Sequence, residues 1–365
     1  MIKTLTQTPT RSVGNAAGTE PLFPGARVYS TCPPSAAFKD HRTYRKSAIR
    51  VAQWSEDAGC DGILVYTDNS MLDPWTVAHT ILEHTFHLSP LVAVQPVYMH
   101  PYAAAKMVTS LSALFGRTVH LNLVAGGFRN DLTALNDLTP HDARYERLAE
   151  YVRIMLDLLR TPAPVTYEGR FYTVRNLALT PPLVPERMPQ VLISGSSPAG
   201  LAIAQTLGAI PVQYPEPPGE RTVGTCVTGS CGLRVGIIAR TDEAEAWRVA
   251  YERFPEDREG QITHNLALKV SDSVWHQRLS EIGSANAAAE LPRVTGSRNP
   301  YWLLPFENYK TFCPYLVGSY DVVGGALRGY LAAGYDTFIL DIPASEEEFD
   351  HTRTAFQIAS HKVAA

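Results

Sequence analysis

QVLISGSSPAGLAIAQTLG, Gln190–Gly208, packs a strand, a turn and a helix into one short stretch. Val191-Leu192-Ile193 is an apolar, β-branched run that reads as a buried strand. Gly195-Ser196-Ser197 follows as a tight turn, and Pro198 opens an alanine-rich helix. At the first helical position proline forfeits only an N–H that has no intrahelical partner. Free amides, two hydroxyls and the positive end of a helix dipole then converge on one point, which is the chemistry of an anion site. An ordinary strand-to-helix connection capped by serine would read the same way. The turn therefore takes its meaning from the segments around it.

Outward from this stretch the strand–helix unit repeats. Toward the N-terminus, strands are expected at Ala26–Ser30, Gly62–Tyr66, Leu91–Gln95 and Val119–Leu123. Helices are expected at Tyr44–Ala58, Pro74–His84, Pro101–Phe115 and Arg144–Arg160. The last is amphipathic, with Tyr145, Leu148, Val152, Met155, Leu156 and Leu159 at helical spacing. Toward the C-terminus, strands follow at Ala209–Gln213, Leu233–Ala239 and Thr337–Leu340. Alternation of this kind implies right-handed parallel crossovers. Eight strands favour a closed α/β (β/α)8 TIM barrel, and no GxGxxG follows the first strand to suggest a Rossmann sheet.

Two stretches break the rhythm. Val165–Leu179 alternates with period two around Glu168-Gly169 and reads as a hairpin inserted before strand five. Pro255–Tyr315 is a long insertion between strands seven and eight, with a helix over Val274–Ile282 and then no clear period. Its end carries Tyr301, Trp302, Phe306, Tyr309, Phe312 and Tyr315, which suits either a lid over the barrel mouth or a partner-facing surface. Residues 1–25 read as a flexible arm and 26–365 as a single barrel domain.

The composition is globular, with 45% hydrophobic and 19% charged residues. A net charge of −4 gives no electrostatic case for nucleic acid or an anionic membrane. Five cysteines without a CxxC pair indicate neither a disulfide framework nor a metal site. No apolar run approaches the roughly 20 residues that span a bilayer, and a cytoplasmic protein is expected.

Dispersed words along the chain carry a family resemblance. They are Leu91-Val92-Ala93-Val94-Gln95-Pro96, Leu121-Asn122-Leu123-Val124-Ala125-Gly126-Gly127, His141-Asp142-Ala143-Arg144-Tyr145-Glu146 and Gly195-Ser196-Ser197. Glu216-Pro217-Pro218, Ser271-Asp272-Ser273, Leu316-Val317-Gly318 and Gly334–Leu340 follow in order. Together they resemble the bacterial luciferase-like flavin-dependent monooxygenases, most closely the alkanesulfonate monooxygenase branch. The resemblance implies FMN bound at the C-terminal mouth of the barrel. Carried over by position, Asn122 and Thr67 would flank the flavin ring, His141 and Tyr145 its ribityl chain and phosphate, and Gly195, Ser196 and Ser197 the phosphate. It also implies a homodimer, dioxygen as co-substrate and a separate NAD(P)H-dependent flavin reductase that supplies reduced FMN.

The departures fall on the substrate side. The sulfonate enzymes carry an Arg-x-His pair on strand seven, where this chain has Arg234 and Gly236. Met71 replaces a family cysteine, and the tyrosine and histidine after strand eight are missing from Leu340–Ser345. A substrate other than a simple alkanesulfonate is expected, with Gly236 leaving room for bulk beside Arg234. Arg234 and His100 are the candidate catalytic residues. Cys32, Gln95 and Tyr214, at strand ends, are candidate substrate-wall residues whose alternative is packing. A deazaflavin-dependent oxidoreductase and a non-catalytic flavin-binding barrel are the competing functions.

Overall fold

The structure is a computed structural model and describes residues 23–195, 197–218, 229–270, 277–282 and 297–361. In chain order its strands are β1 (Arg27–Thr31), β2 (Gly62–Val65), β3 (Ser89–Val94), β4 (His120–Leu123), the hairpin β5 (Val165–Glu168) and β6 (Thr173–Leu177), β7 (Val191–Ser194), β8 (Ile210–Gln213), β9 (Cys231–Arg240), β10 (Tyr301–Trp302), β11 (Tyr315–Ser319) and β12 (Tyr335–Leu340). Among the described residues, β1, β2, β3, β4, β7, β8, β9 and β12 pair in parallel in that order. The ring closes through Arg27↔Thr337, Val28↔Phe338 and Tyr29↔Ile339. This is the eight-stranded barrel that the repeat implied, with the expected antiparallel hairpin inserted between β4 and β7.

The helices begin where the strands end, at the mouth. Asp73-Pro74 opens α2 (Pro74–His84), His100-Pro101 opens α3 (Pro101–Phe115) and Ser197-Pro198 opens α6 (Pro198–Leu207). In each, a side chain accepts from a first-turn amide and the next residue is proline. One local grammar thus sets three strand-to-helix turns on the same rim. Tyr29, Leu64, Leu91, Leu192, Ile210, Val212 and Ile339 form one buried cluster inside the barrel. Leu233, Val235 and Ile237 of β9 face the other way, into the core under the helices.

The insertion between β9 and β12 differs from its reading. A helix, α8 (Arg258–Val270), precedes the expected one, of which only residues 277–282 are described. β10 and β11 form an antiparallel pair, and β11 runs parallel to the second half of β9, Tyr315↔Gly236 through Ser319↔Arg240. Tyr301, Trp302, Phe306 and Tyr315 are buried in this structure. Trp302 lies 5.7 Å from Trp247 and 5.5 Å from Tyr251, ring to ring. Those four aromatics neither cover the mouth nor face a partner. Trp302 and Tyr315 bury the extra strands against α7 (Glu243–Arg253), and Tyr301 and Phe306 join the core under the barrel helices, which is why the four lack helical period. Phe312 alone among the six lines the mouth cavity.

Cys32, Cys60 and Cys313 are free and buried, whereas Cys231 is disulfide-bonded, a bridge the spacing does not announce. Among the described residues no helix is long and apolar enough to cross a membrane, and no group of acidic, histidine and cysteine side chains is placed to hold a metal. The expected N-terminal arm lies almost wholly outside the described residues.

Candidate active site

A cavity of about 220 Å³ opens at the C-terminal end of the barrel. Its walls include Tyr66 and Thr67 after β2, Gln95 after β3, Asn122 of β4, Ser194-Gly195 at the end of β7, Tyr214 after β8 and Arg234 of β9. Period-two alternation explains the set, since each sits on a barrel-facing position or on the first turn beyond its strand. A second chamber of about 220 Å³ shares Thr67, Asp68, Met71, Ala93 and Gln95 and runs toward Tyr98 and Met99.

One end of the main cavity is the Gly195 turn. Gly195 has φ +158°, and a Cβ there would lie 2.7 Å from the Tyr145 hydroxyl. Only glycine leaves that approach open. Tyr145 is carried by α5 (His141–Arg160), and the His141 ring lies 5.2 Å from it. Ser197 caps α6, its hydroxyl accepting from the Gly200 amide at 3.1 Å. Thus Tyr145, His141, Gly195 and Ser197 come together around a helix N-terminus, the arrangement that suits a phosphate ester. Ser196 lies outside the described residues. Next along the wall, the Ser194 hydroxyl donates to Asn122 Oδ1 at 2.8 Å and fixes that side chain at the cavity surface.

The opposite wall is built on Arg234. Its guanidinium lies 4.9 Å from the Tyr66 ring centre and donates to the Tyr66 hydroxyl. It also hydrogen-bonds Tyr214. Burial, the largest influence, disfavours the charge. Tyr66, Tyr214, Cys313 and Asp341 outweigh it, and the guanidinium is held protonated. Burial likewise pushes the Tyr66 and Tyr214 phenols above their ordinary range, so both remain neutral. Asp68 and Asp131 line the same cavity, and Asp131 is pushed up first by burial and then by Asp68.

Gly236 does not leave an open space. A Cβ there would lie 2.3 Å from the Tyr315 ring, which occupies the position beside Arg234. The Tyr315 hydroxyl and the Thr311 hydroxyl both donate to Asp341 Oδ2, at 2.8 and 2.6 Å. Two further expectations are corrected. Cys32 faces the outer core with Tyr44, Ala48 and Val51, and burial pushes its thiol up to about 12. Its strand register turns it away from the barrel interior. His100 is exposed and caps α3, with Nδ1 accepting from the Tyr102 amide at 3.2 Å, and it lines neither chamber. Tyr66, Asp68, Phe128 and Asp131 were missed as cavity residues. Tyr66 and Asp68 had one sequence signal, their place directly after strand two. Phe128 and Asp131 sit in and beside the short helix α4 (Arg129–Ala134), which has no distinguishing pattern.

Fold and site together define a (β/α)8-barrel enzyme that works at the carboxyl ends of its strands. A family model described as luciferase-like monooxygenase matches residues 29–221. A relative in Niallia circulans, the 4-(gamma-L-glutamylamino)butanoyl–(BtrI acyl-carrier protein) monooxygenase BtrO, is 31% identical over 334 residues, covering 89% of this chain and 94% of its own length. Two solved structures share the fold. The EDTA monooxygenase EmoA of Chelativorans sp. BNC1 has TM-score 0.66 and 16% identity, covering 91% of this chain and 93% of its own. An F420-dependent secondary alcohol dehydrogenase has TM-score 0.63 and 15% identity, covering 92% and 99%. The chain belongs to the luciferase-like monooxygenase family and is a flavin-dependent monooxygenase by that membership.

Proposed function

We propose that the protein is the oxygenase of a two-component system, cytoplasmic and homodimeric, that receives reduced FMN from a separate NAD(P)H-dependent flavin reductase. With dioxygen it oxidises a small organic metabolite, and simple alkanesulfonates are not its substrates. The observation that carries the reading is the continuity of the Gly195 turn with the mouth cavity through Ser194. In this reading Gly195, Ser197 and Tyr145 hold the phosphate, with Ser196 between them in sequence, His141 stands by the ribityl chain, and Asn122 and Thr67 flank the ring. The bound flavin supplies the oxygen chemistry. The chain positions the substrate and keeps water out through Leu64, Val124, Phe128, Val212 and Phe312.

Against a sulfonate stands Tyr315, which fills the place beside Arg234 that its third oxygen would need. The relative named for a carrier-borne acyl substrate supports an acyl compound, free or carried on a protein. Titration with oxidised FMN, followed by flavin fluorescence, tests the cofactor site. Gly195→Ala, which drives a Cβ toward the Tyr145 hydroxyl, is expected to weaken binding by about tenfold or more, about 1.4 kcal/mol. Unaltered affinity would remove the turn from the site. Oxygen uptake with reduced FMN is the functional readout, and hydride exchange with a reduced deazaflavin in its place would select the alternative cofactor.

A further inference from the structure

We propose that Arg234, Tyr66 and Tyr214 form a recognition site for a carboxylate on the substrate, held at the inner wall of the cavity. A guanidinium carries five N–H donors and no acceptor, and each phenol adds one donor and one accepting oxygen. Arg234 spends donors on the Tyr66 and Tyr214 oxygens, while its Nε is buried without a partner. Among the described residues Arg234 forms no ion pair within 4 Å. The nearby Asp341 carboxylate instead accepts from Tyr315 and Thr311. The cluster is therefore rich in donors, positively charged, and turned into a cavity that sets apolar side chains such as Leu64, Val124 and Phe128 beside polar ones.

Among the described residues no carboxylate pairs directly with Arg234, since Asp341 acts on it only at a distance, and an entering anion adds the direct partner that a guanidinium drawn out of water lacks. Geometry narrows the anion. The guanidinium fork matches a planar pair of oxygens, and the two phenols pin it so that the fork does not swing. Tyr315, packed over Gly236, closes the space that a third oxygen or a second basic side chain would need. Asp68 and Asp131 line the same cavity and repel a second anion. The substrate class is thus a monocarboxylate whose charged end lies at Arg234 and whose chain runs outward past apolar side chains. Tyr66 and Tyr214 act as binding and positioning residues.

The inference rests on the monooxygenase reading only in calling the ligand a substrate; the binding itself is independent of it. The probes are sodium butyrate, butyramide and methanesulfonate, added to the full chain with and without saturating oxidised FMN and followed by thermal shift and calorimetry. Butyrate is expected to raise the melting temperature saturably, and the other two to bind at least about tenfold more weakly. Tyr66→Phe is expected to weaken butyrate about tenfold, the loss of one charge-assisted contact. Arg234→Gln is expected to abolish the response. FMN titration reports folding of both variants, and if Arg234→Gln does not fold, Tyr66→Phe decides. Equal binding of butyrate and butyramide, unchanged butyrate affinity in Tyr66→Phe, or competition between butyrate and FMN would each overturn the proposal. A butyrate response in a protein that does not bind FMN would sustain this site while removing the cofactor reading.

Discussion

At Gly236 one missing side chain decides what stands beside Arg234. The Tyr315 ring lies where a Cβ would be, with its hydroxyl tied to Asp341 and the Arg253 guanidinium 5.6 Å from its ring centre. Placing a histidine there with Gly236→His is therefore expected to unseat Tyr315 rather than add a catalytic base. Overpacking of this kind costs about 1–3 kcal/mol, read as a lower midpoint in urea unfolding. Adding Tyr315→Ala to Gly236→His is expected to recover part of the loss, because the clash is then gone. Equal midpoints for the single variant and the parent would mean that the ring has room to move. The reading of Gly236 as room for substrate failed because the residue that fills the space comes from nearly 80 positions further along the chain.

At the scale of elements, the inserted hairpin is fastened to α5 by two carboxylates, Glu146 pairing with the Arg170 guanidinium at 2.7 Å and Glu150 holding the backbone of the turn. Glu150 on α5 accepts from the backbone amides of Arg170, Phe171 and Tyr172 at 2.8, 2.9 and 3.1 Å. The three donors lie in the β5–β6 turn, so the hairpin tip is held against the helix that carries His141 and Tyr145. Glu150→Ala leaves three amides to water. It is expected to destabilise the hairpin locally by about 2 kcal/mol. Hydrogen exchange should quicken at residues 170–172 and remain slow in β4 and β7. Uniform exchange across the parent and variant would show that backbone pairing between β5 and β6 suffices. The hairpin itself was legible from its alternation around Glu168-Gly169, but its anchor was not. Glu150 reads in sequence as one more polar residue on the outer face of an amphipathic helix.

Across the whole molecule, the barrel is locked at its lower end by a half-buried histidine. The Gln190 amide donates to His120 Nδ1 at 3.0 Å, Tyr29 donates to Gln190 Oε1 at 2.8 Å, and the Tyr29 and His120 rings meet edge to face. Strands β1, β4 and β7 are joined in this way. An accepting Nδ1 requires neutral imidazole, and burial, followed by the charge of Arg27, lowers the His120 pKa to about 4. The unfolded chain protonates near 6.5. Between those values the unfolded state binds the extra proton, so this contribution is complete above pH 6.5 and is lost as pH falls toward 4. It amounts to about 3 kcal/mol. His120→Gln is expected to flatten the stability profile in that window, measured by urea unfolding from pH 7 to 4. Superimposable profiles would assign the acid sensitivity to other groups.

The sequence by itself determined the strand–helix repeat, the number of barrel strands, the hairpin and the Ser197-Pro198 turn at the mouth. Each depends on residues a few positions apart, where period and backbone restriction act directly. The words from Leu91 to Ser197 likewise marked one wall of the cavity, since Asn122 and Gly195 sit at strand ends and Tyr145 on the helix beside them. Only the tertiary structure decided the wall around Arg234. Cys32 was turned outward by strand register, and His100 was spent on a helix cap. Tyr315 entered from an added strand, and Arg234 acquired phenols from loops more than 160 and about 20 residues away in sequence. Those arrangements follow from which distant segments meet across a closed barrel. No local period records such meetings, because packing selects them only once the ring has closed.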